Sequence, residues 1–228
     1  MSWKFESSPG HHRKHALEGA KISVNVKLHK GDLPAGIDWG ASVAVDTETL
    51  GLNPLRDRLC LVQLSSGDGV GHVVQLTPAD YATATNLKTL LADPKVLKIF
   101  HFARFDVAVI QHYLGIVCAP VYCTKIASRL TRTYTDRHGL KDLCAELLGV
   151  DLSKQQQSSD WGREELTREQ LDYAASDVLY LHRLRDILDR RLARENRRDL
   201  AEACFGFLAT RAKLDLSGWD EVDIFAHS

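Results

Sequence analysis

Asp46 and Glu48 stand two residues apart in Val-Ala-Val-Asp-Thr-Glu-Thr, Asp106 closes His-Phe-Ala-Arg-Phe-Asp, and Asp177 follows Tyr173 by one helical turn. Acids from three separated segments form a site only if the fold gathers them. Gathered, they repel one another, and an all-oxygen donor set calls for hard cations such as Mg2+ or Mn2+. Two divalent ions would neutralise Asp46, Glu48, Asp106 and Asp177. Such a centre holds a phosphate, acidifies a bound water, and stabilises both the entering and the leaving oxygen of an in-line displacement. The chemistry implied is phosphodiester hydrolysis.

The elements around these residues decide whether they can converge. Val43, Ala44 and Val45 lead straight into Asp46, and Gly51 and Pro54 follow. In a strand, residues two apart share a face, so Asp46 and Glu48 project together from the end of a segment predicted over Ser42 to Asp46. A lone Asp-x-Glu would read as an exposed acidic strand end; a buried strand delivering acids to a sheet edge is where α/β proteins place their sites. Tyr173 and Asp177 stack on one face of a helical segment, where phenol and carboxylate can address the same water. Asp106 lies among Phe102, Phe105, Val107, Val109 and Ile110, and a charge in that setting needs a partner. His101 either contacts substrate or caps the preceding strand.

Alternating apolar and polar residues predict a lead-in strand over 22–28, then strands over 42–46, 58–64 and 72–76 joined by short Gly, Asn, Pro and Ser turns as a meander. A helix over 78–91 with Thr77 as its N-cap and a buried strand over 96–100 follow. Helices are expected over 103–114, 124–130 and 140–148, with a short strand near Val121. The glutamine-bearing stretch 151–161 reads as a surface loop. Thr167 and Gln170 form a capping box that starts a helix running to about Arg194. A further helix carries an apolar stripe of Leu200, Cys204, Phe207 and Leu208 edged by Arg211. Gly218 to Ser228, with Trp219, Val222, Ile224 and Phe225, is expected to dock on the body. The fold class is α/β, a mixed sheet of five or more strands flanked by helices.

The chain of 228 residues suffices for one substantial core, here expected over 21–228 behind a polar leader of residues 1–20. His11, His12 and His15 lie in that leader without companion ligands. No apolar run is long enough to cross a bilayer, and no secretory signal follows Arg13 and Lys14, so a cytoplasmic location is expected. Cys60, Cys118, Cys123, Cys144 and Cys204 show no paired spacing and read as reduced and mostly buried. Lys plus Arg number 29 against 30 for Asp plus Glu, so overall charge gives no support for a nucleic-acid partner. Two basic stretches, Lys125 to Lys141 and Arg183 to Arg198, could track a phosphate backbone but read first as solvated helix faces. No glycine-rich phosphate loop, His-Glu-x-x-His helix or Gly-x-Ser-x-Gly elbow supports a kinase, metalloprotease or serine hydrolase.

Three motifs in order carry a resemblance to the ribonuclease D family of 3'-5' exonucleases. They are Val45–Thr49 followed by Leu59–Leu64, then His101–Asp106, then Ser159–Trp161 leading to Gln170–Val178. Tyr173, with Asp172 where a sister branch has histidine, makes the chain similar to the tyrosine branch. The resemblance implies a ribonuclease H-like fold, in a short form without additional C-terminal helical domains. It implies two Mg2+ or Mn2+ ions, with Asp46, Glu48 and Asp177 on the first, Asp46 bridging to the second, Asp106 holding the second largely through water, and Tyr173 orienting the attacking water. It further implies that Leu52 wedges against the terminal bases and that Thr47 and Thr49 meet the terminal nucleotide. The expected partner is a single-stranded or frayed 3' end, RNA before DNA, cut to nucleoside 5'-monophosphates. A catalytically silent nucleic-acid binding module and an endonuclease of the same fold are the alternatives; oligomeric state is open.

Overall fold

The computed structural model describes residues 24–227 apart from 154 and 157. The polar leader, its histidine cluster and the first residues of the lead-in strand lie outside the described residues. Among the described residues six strands form one mixed sheet in the order β1-β4-β3-β2-β5-β6. They are β1 (Asn25–Lys30), β2 (Ser42–Thr49), β3 (Leu59–Ser65), β4 (Val70–Gln75), β5 (Leu97–Phe100) and β6 (Val121–Cys123). The expected meander is present: β2, β3 and β4 are successive antiparallel neighbours, while β5 and β6 extend the sheet in parallel beyond β2. β1 pairs in parallel with β4 at the far edge.

Central β3 is buried along its whole length, as its apolar run Leu-Cys-Leu-Val dictates. β2 runs three residues further than its sequence pattern suggests, through Thr49, and its register with β3 shifts between Glu48 and Thr49. Both Asp46 and Glu48 therefore sit inside the strand, and the irregularity just beyond them turns the chain out towards Leu52.

The helices among the described residues are α1 (Thr85–Ala92), α2 (Ala103–Leu114), α3 (Thr124–Thr131), α4 (Leu140–Leu143, continued by a wider turn over Cys144–Leu148), α5 (Arg168–Leu179), α6 (Leu181–Arg194) and α7 (Arg198–Leu216). α1 starts later than expected, and Thr77 does not cap it. The Thr77 hydroxyl instead donates to the Asp80 carboxylate at 2.6 Å, and the backbone N–H of Thr77 to the same group at 2.7 Å, closing a separate turn. The capping box of α5 is present, with Gln170 N–H donating to the Thr167 hydroxyl at 3.2 Å and Thr167 N–H to Gln170 Oε1 at 3.0 Å. The expected single helix to Arg194 breaks at Tyr180, because its two halves serve different partners: α5 covers β1–β4, whereas α6 packs on α3 and β5.

On α7 the buried face is Ala201, Phe205, Leu208 and Ala212; Leu200 and Phe207 point outwards. Its small residues allow close approach to α2, and Arg104 of α2 clasps Asp215 of α7 at 2.8 Å. The tail beyond is tied by its backbone carbonyls and by one ring contact, the centroids of Phe225 and of Phe207 of α7 lying 6.0 Å apart. Arg104 and Arg211 donate to the carbonyls of Asp220 and Trp219, while Phe225 remains 76% exposed.

α5 reaches the sheet because Gly71 lets it. A Cβ at Gly71 would come within 2.5 Å of the Ala175 Cβ and 3.1 Å of its Cα. Gly71→Val is expected to cost about 1–3 kcal/mol of stability through this overlap. It should also slow any chemistry that depends on α5. An unchanged urea midpoint would contradict the packing described.

Candidate metal centre

β2 and α5 build the floor of a cleft of about 700 Å³. Asp46 and Glu48 face α5 by strand alternation, and α5 presents Tyr173 and Asp177 one turn apart. One carboxylate oxygen from each of Asp46, Glu48 and Asp177 lies within 4.8 Å of the others. Asp106 enters the same cleft from the first turn of α2. It is 4% exposed and accepts a hydrogen bond from the Thr47 hydroxyl at 2.6 Å, Thr47 pointing to the other face of β2 from its acidic neighbours.

The electrostatics follow from this crowding. Burial pushes the Asp46 carboxyl well above the usual carboxylate range, and Asp106, Asp177 and Glu48 add to the rise. Glu48 is raised to about 9 by burial, then by Asp177 and Asp106. Burial takes Asp106 and Asp177 each to about 7, opposed by the Thr47 hydroxyl at Asp106 and by Tyr173 at Asp177. Among the described residues no lysine or arginine pairs with any of these acids. An oxygen-only cluster lacking a protein countercharge is a donor set suited to a hard divalent cation, and the residues present fit one. Burial and the nearby carboxylates keep the Tyr173 phenol protonated, so it serves as a donor and not as a base. Trp161 supports the tyrosine, ring centroids 6.0 Å apart.

The remaining predicted residues line the same cleft. Leu52 is 87% exposed at its mouth. Thr49 donates its hydroxyl to the Gly51 carbonyl, so this hydroxyl, like that of Thr47, is used within the protein. His101 Nδ1 lies 2.9 Å from the Thr124 hydroxyl, which itself donates to the Phe100 carbonyl at 3.1 Å. The His138 backbone also hydrogen-bonds the ring, so this hydroxyl and that backbone together fix its orientation. Burial and Lys125 hold the ring neutral, with its pKa lowered to about 3.

Other wall residues escaped the sequence reading. Lys125 and Lys141, assigned to a solvated face, both line the cleft. Lys125 places its ammonium 4.1 Å from the centre of the Phe102 ring. Phe102 adopts φ 67° at the start of α2, a left-handed conformation that costs a bulky residue energy and clusters at functional sites. The loop taken as mere surface contributes Leu152, Ser153, Ser158, Ser159 and Trp161, and Trp161 is 2% exposed. Lys125, two residues past the end of β6, was the available signal. Arg104, though within the His101–Asp106 motif, turns away to α7.

Residues 28–193 match the family model described as 3'-5' exonuclease. Ribonuclease D of Gluconacetobacter diazotrophicus is 37% identical over 158 residues, which are 69% of this chain and 39% of that protein. The chain thus spans well under half the length of that relative. Among solved structures, Brucella melitensis NrnC is 60% identical, covering 90% of this chain and all of its own, with a TM-score of 0.87. Escherichia coli RNase D, at 24% identity, TM-score 0.65, and 76% of this chain against 45% of its own, shares the fold. The chain belongs to the 3'-5' exonuclease family, in the company of ribonuclease D.

Proposed function

We propose that the protein is a metal-dependent 3'-5' exonuclease that releases nucleoside 5'-monophosphates from the 3' ends of single-stranded RNA, very short strands included. The observation that carries this reading is the meeting of Asp46, Glu48 and Asp177 oxygens within 4.8 Å on the floor of a cleft that also holds Asp106. Two related structures are described as Brucella melitensis NrnC with bound Mg2+ and bound to pGG, which supports both the cation and a short guanine-containing strand.

In this reading Asp46, Glu48 and Asp177 hold one divalent ion, and Asp46 with Asp106 holds a second. The ions supply charge neutralisation and an acidified water. Tyr173, its single O–H donating to Asp177, would orient that water by accepting a hydrogen bond from it. Leu52 covers the terminal bases at the mouth of the cleft. Thr47 positions Asp106, while Thr49 shapes the turn leading to Leu52. His101 meets the sugar of the terminal nucleotide from the cleft wall, and the Lys125 and Lys141 ammonium groups face the phosphates.

A 5'-labelled oligoribonucleotide incubated with Mg2+ should shorten from its 3' end one nucleotide at a time, while a circular RNA stays intact. Cleavage of the circle would instead establish an endonuclease, and binding without shortening a silent module. Matched DNA should be degraded more slowly if His101 reads the 2'-hydroxyl. Tyr173→Phe is expected to lower kcat about a hundredfold with little change in KM, because it removes one oriented hydrogen bond and leaves the carboxylates in place. A kcat within twofold of the parent protein would remove the phenol from the mechanism.

A further inference from the structure

Gln63 is fully buried on β3, and neither its Oε1 nor its Nε2 has a hydrogen-bond partner among the described residues. Burying a carboxamide without partners is unfavourable, and a strand this apolar would accept Leu or Met at the same place. The position is not arbitrary. Gln63 is the register partner of Asp46 across the antiparallel β2–β3 pair, so the two side chains rise side by side on the face covered by α5. Its flanking neighbours on that face are Leu61 and Ser65 along β3 and Val73 on β4, all fully buried; Leu61 and Val73 are apolar, and the Ser65 hydroxyl accepts from the Gly67 N–H at 3.3 Å. Asp46 is therefore the polar group that stands directly opposite Gln63 in the sheet.

We infer that Gln63 is a positioning residue of the metal centre: its carboxamide N–H donates to the Asp46 carboxylate when that group is engaged by a divalent ion. The inference rests on the metal reading given above. The amide carries two donor hydrogens and no charge. It can hold one carboxylate oxygen in place, and so decide which oxygens face the ions, without competing for the site as a lysine or arginine would. Such partners of ligating carboxylates tune metal affinity by about 10–100-fold.

The test compares the whole chain with Gln63→Met, an unbranched apolar side chain of similar length. Mn2+ affinity is measured by calorimetry without nucleic acid, and metal-free stability by urea unfolding in chelator. The expected result is Mn2+ binding about tenfold weaker or more, with a metal-free urea midpoint equal to or above that of the parent. Mn2+ affinity within twofold of the parent overturns the inference. So does a loss of affinity that merely accompanies a large loss of metal-free stability, since that is what a packing role produces. Gln63→Asn, which keeps the amide but withdraws it from Asp46, carries the same criterion if the methionine variant does not fold. Should the parent protein itself fail to bind Mn2+, the metal reading falls first; parent binding left unchanged by the variants removes Gln63 alone.

Discussion

Asp46→Ala is expected to lower nucleotide release from a short RNA by about a thousandfold or more, while leaving the metal-free protein as stable as before or more so. The first half follows from the place of Asp46 at the centre of the acidic cluster, where its carboxyl feels Asp106, Asp177 and Glu48 together. Loss of a shared ligand withdraws several kcal/mol of transition-state stabilisation, and each 1.36 kcal/mol is a factor of ten in rate. The second half follows from burial. A carboxyl already pushed out of its normal range by desolvation and by like neighbours destabilises the folded state near neutral pH, so its removal relieves that cost. Asp177→Ala should behave alike, and the double variant should be little slower than either single one, because the acids act as a unit. Single-turnover release in Mg2+, paired with urea unfolding in chelator, checks both halves. Full activity in either single variant would defeat the account.

Stability in chelator should fall as pH rises from about 6.5 to about 8.5, by an amount on the order of a few kcal/mol. Asp106 and Asp177 are raised to about 7 and Glu48 to about 9, against unfolded values near 4. In that window the native chain retains protons that the unfolded chain has lost, so the slope of unfolding free energy with pH is negative. Their contribution is complete below about 4 and is lost as pH passes the folded values. The window is set by two other groups of residues. Below it, His29, His72, His101, His138 and His182, all lowered chiefly by burial, work in the opposite direction. Above it, the buried thiols of Cys60 and Cys118, raised to about 11 and about 12, add to the fall.

Mn2+ should reverse the trend, since it binds the ionised acids and its stabilisation grows with pH. Urea midpoints at the two ends of the window, with chelator and with Mn2+, measure this. A metal-free midpoint that climbs with pH would contradict the electrostatics of the cleft.

Much of the site was legible because strand alternation and helical spacing are local rules. The two-residue spacing of Asp46 and Glu48 and the four-residue spacing of Tyr173 and Asp177 fix their faces without reference to the rest of the chain. The capping box at Thr167 is equally local. What was hidden depends on partners distant in sequence. Helical periodicity runs unbroken through Tyr180, and only the separate docking of α5 and α6 makes a break there. On α7 the eye follows Leu200 and Phe207, yet Ala201 and Ala212 form the buried face, because close helix packing favours small side chains. Loop 151–161 is polar in composition, but Leu152 and Trp161 bury themselves against the cleft wall. Lys125 looks like one charge in a basic run until the β6–α3 junction brings it over Phe102. Gln63 gave no sign in sequence beyond its place in the Leu59–Leu64 motif; its role depends on register.

A crystal soaked in Mn2+ and read by anomalous diffraction asks the central question directly. The account predicts two Mn2+ peaks on the floor of the cleft, one among Asp46, Glu48 and Asp177 and one between Asp46 and Asp106. A cleft without Mn2+, or ions bound only elsewhere on the molecule, would contradict it.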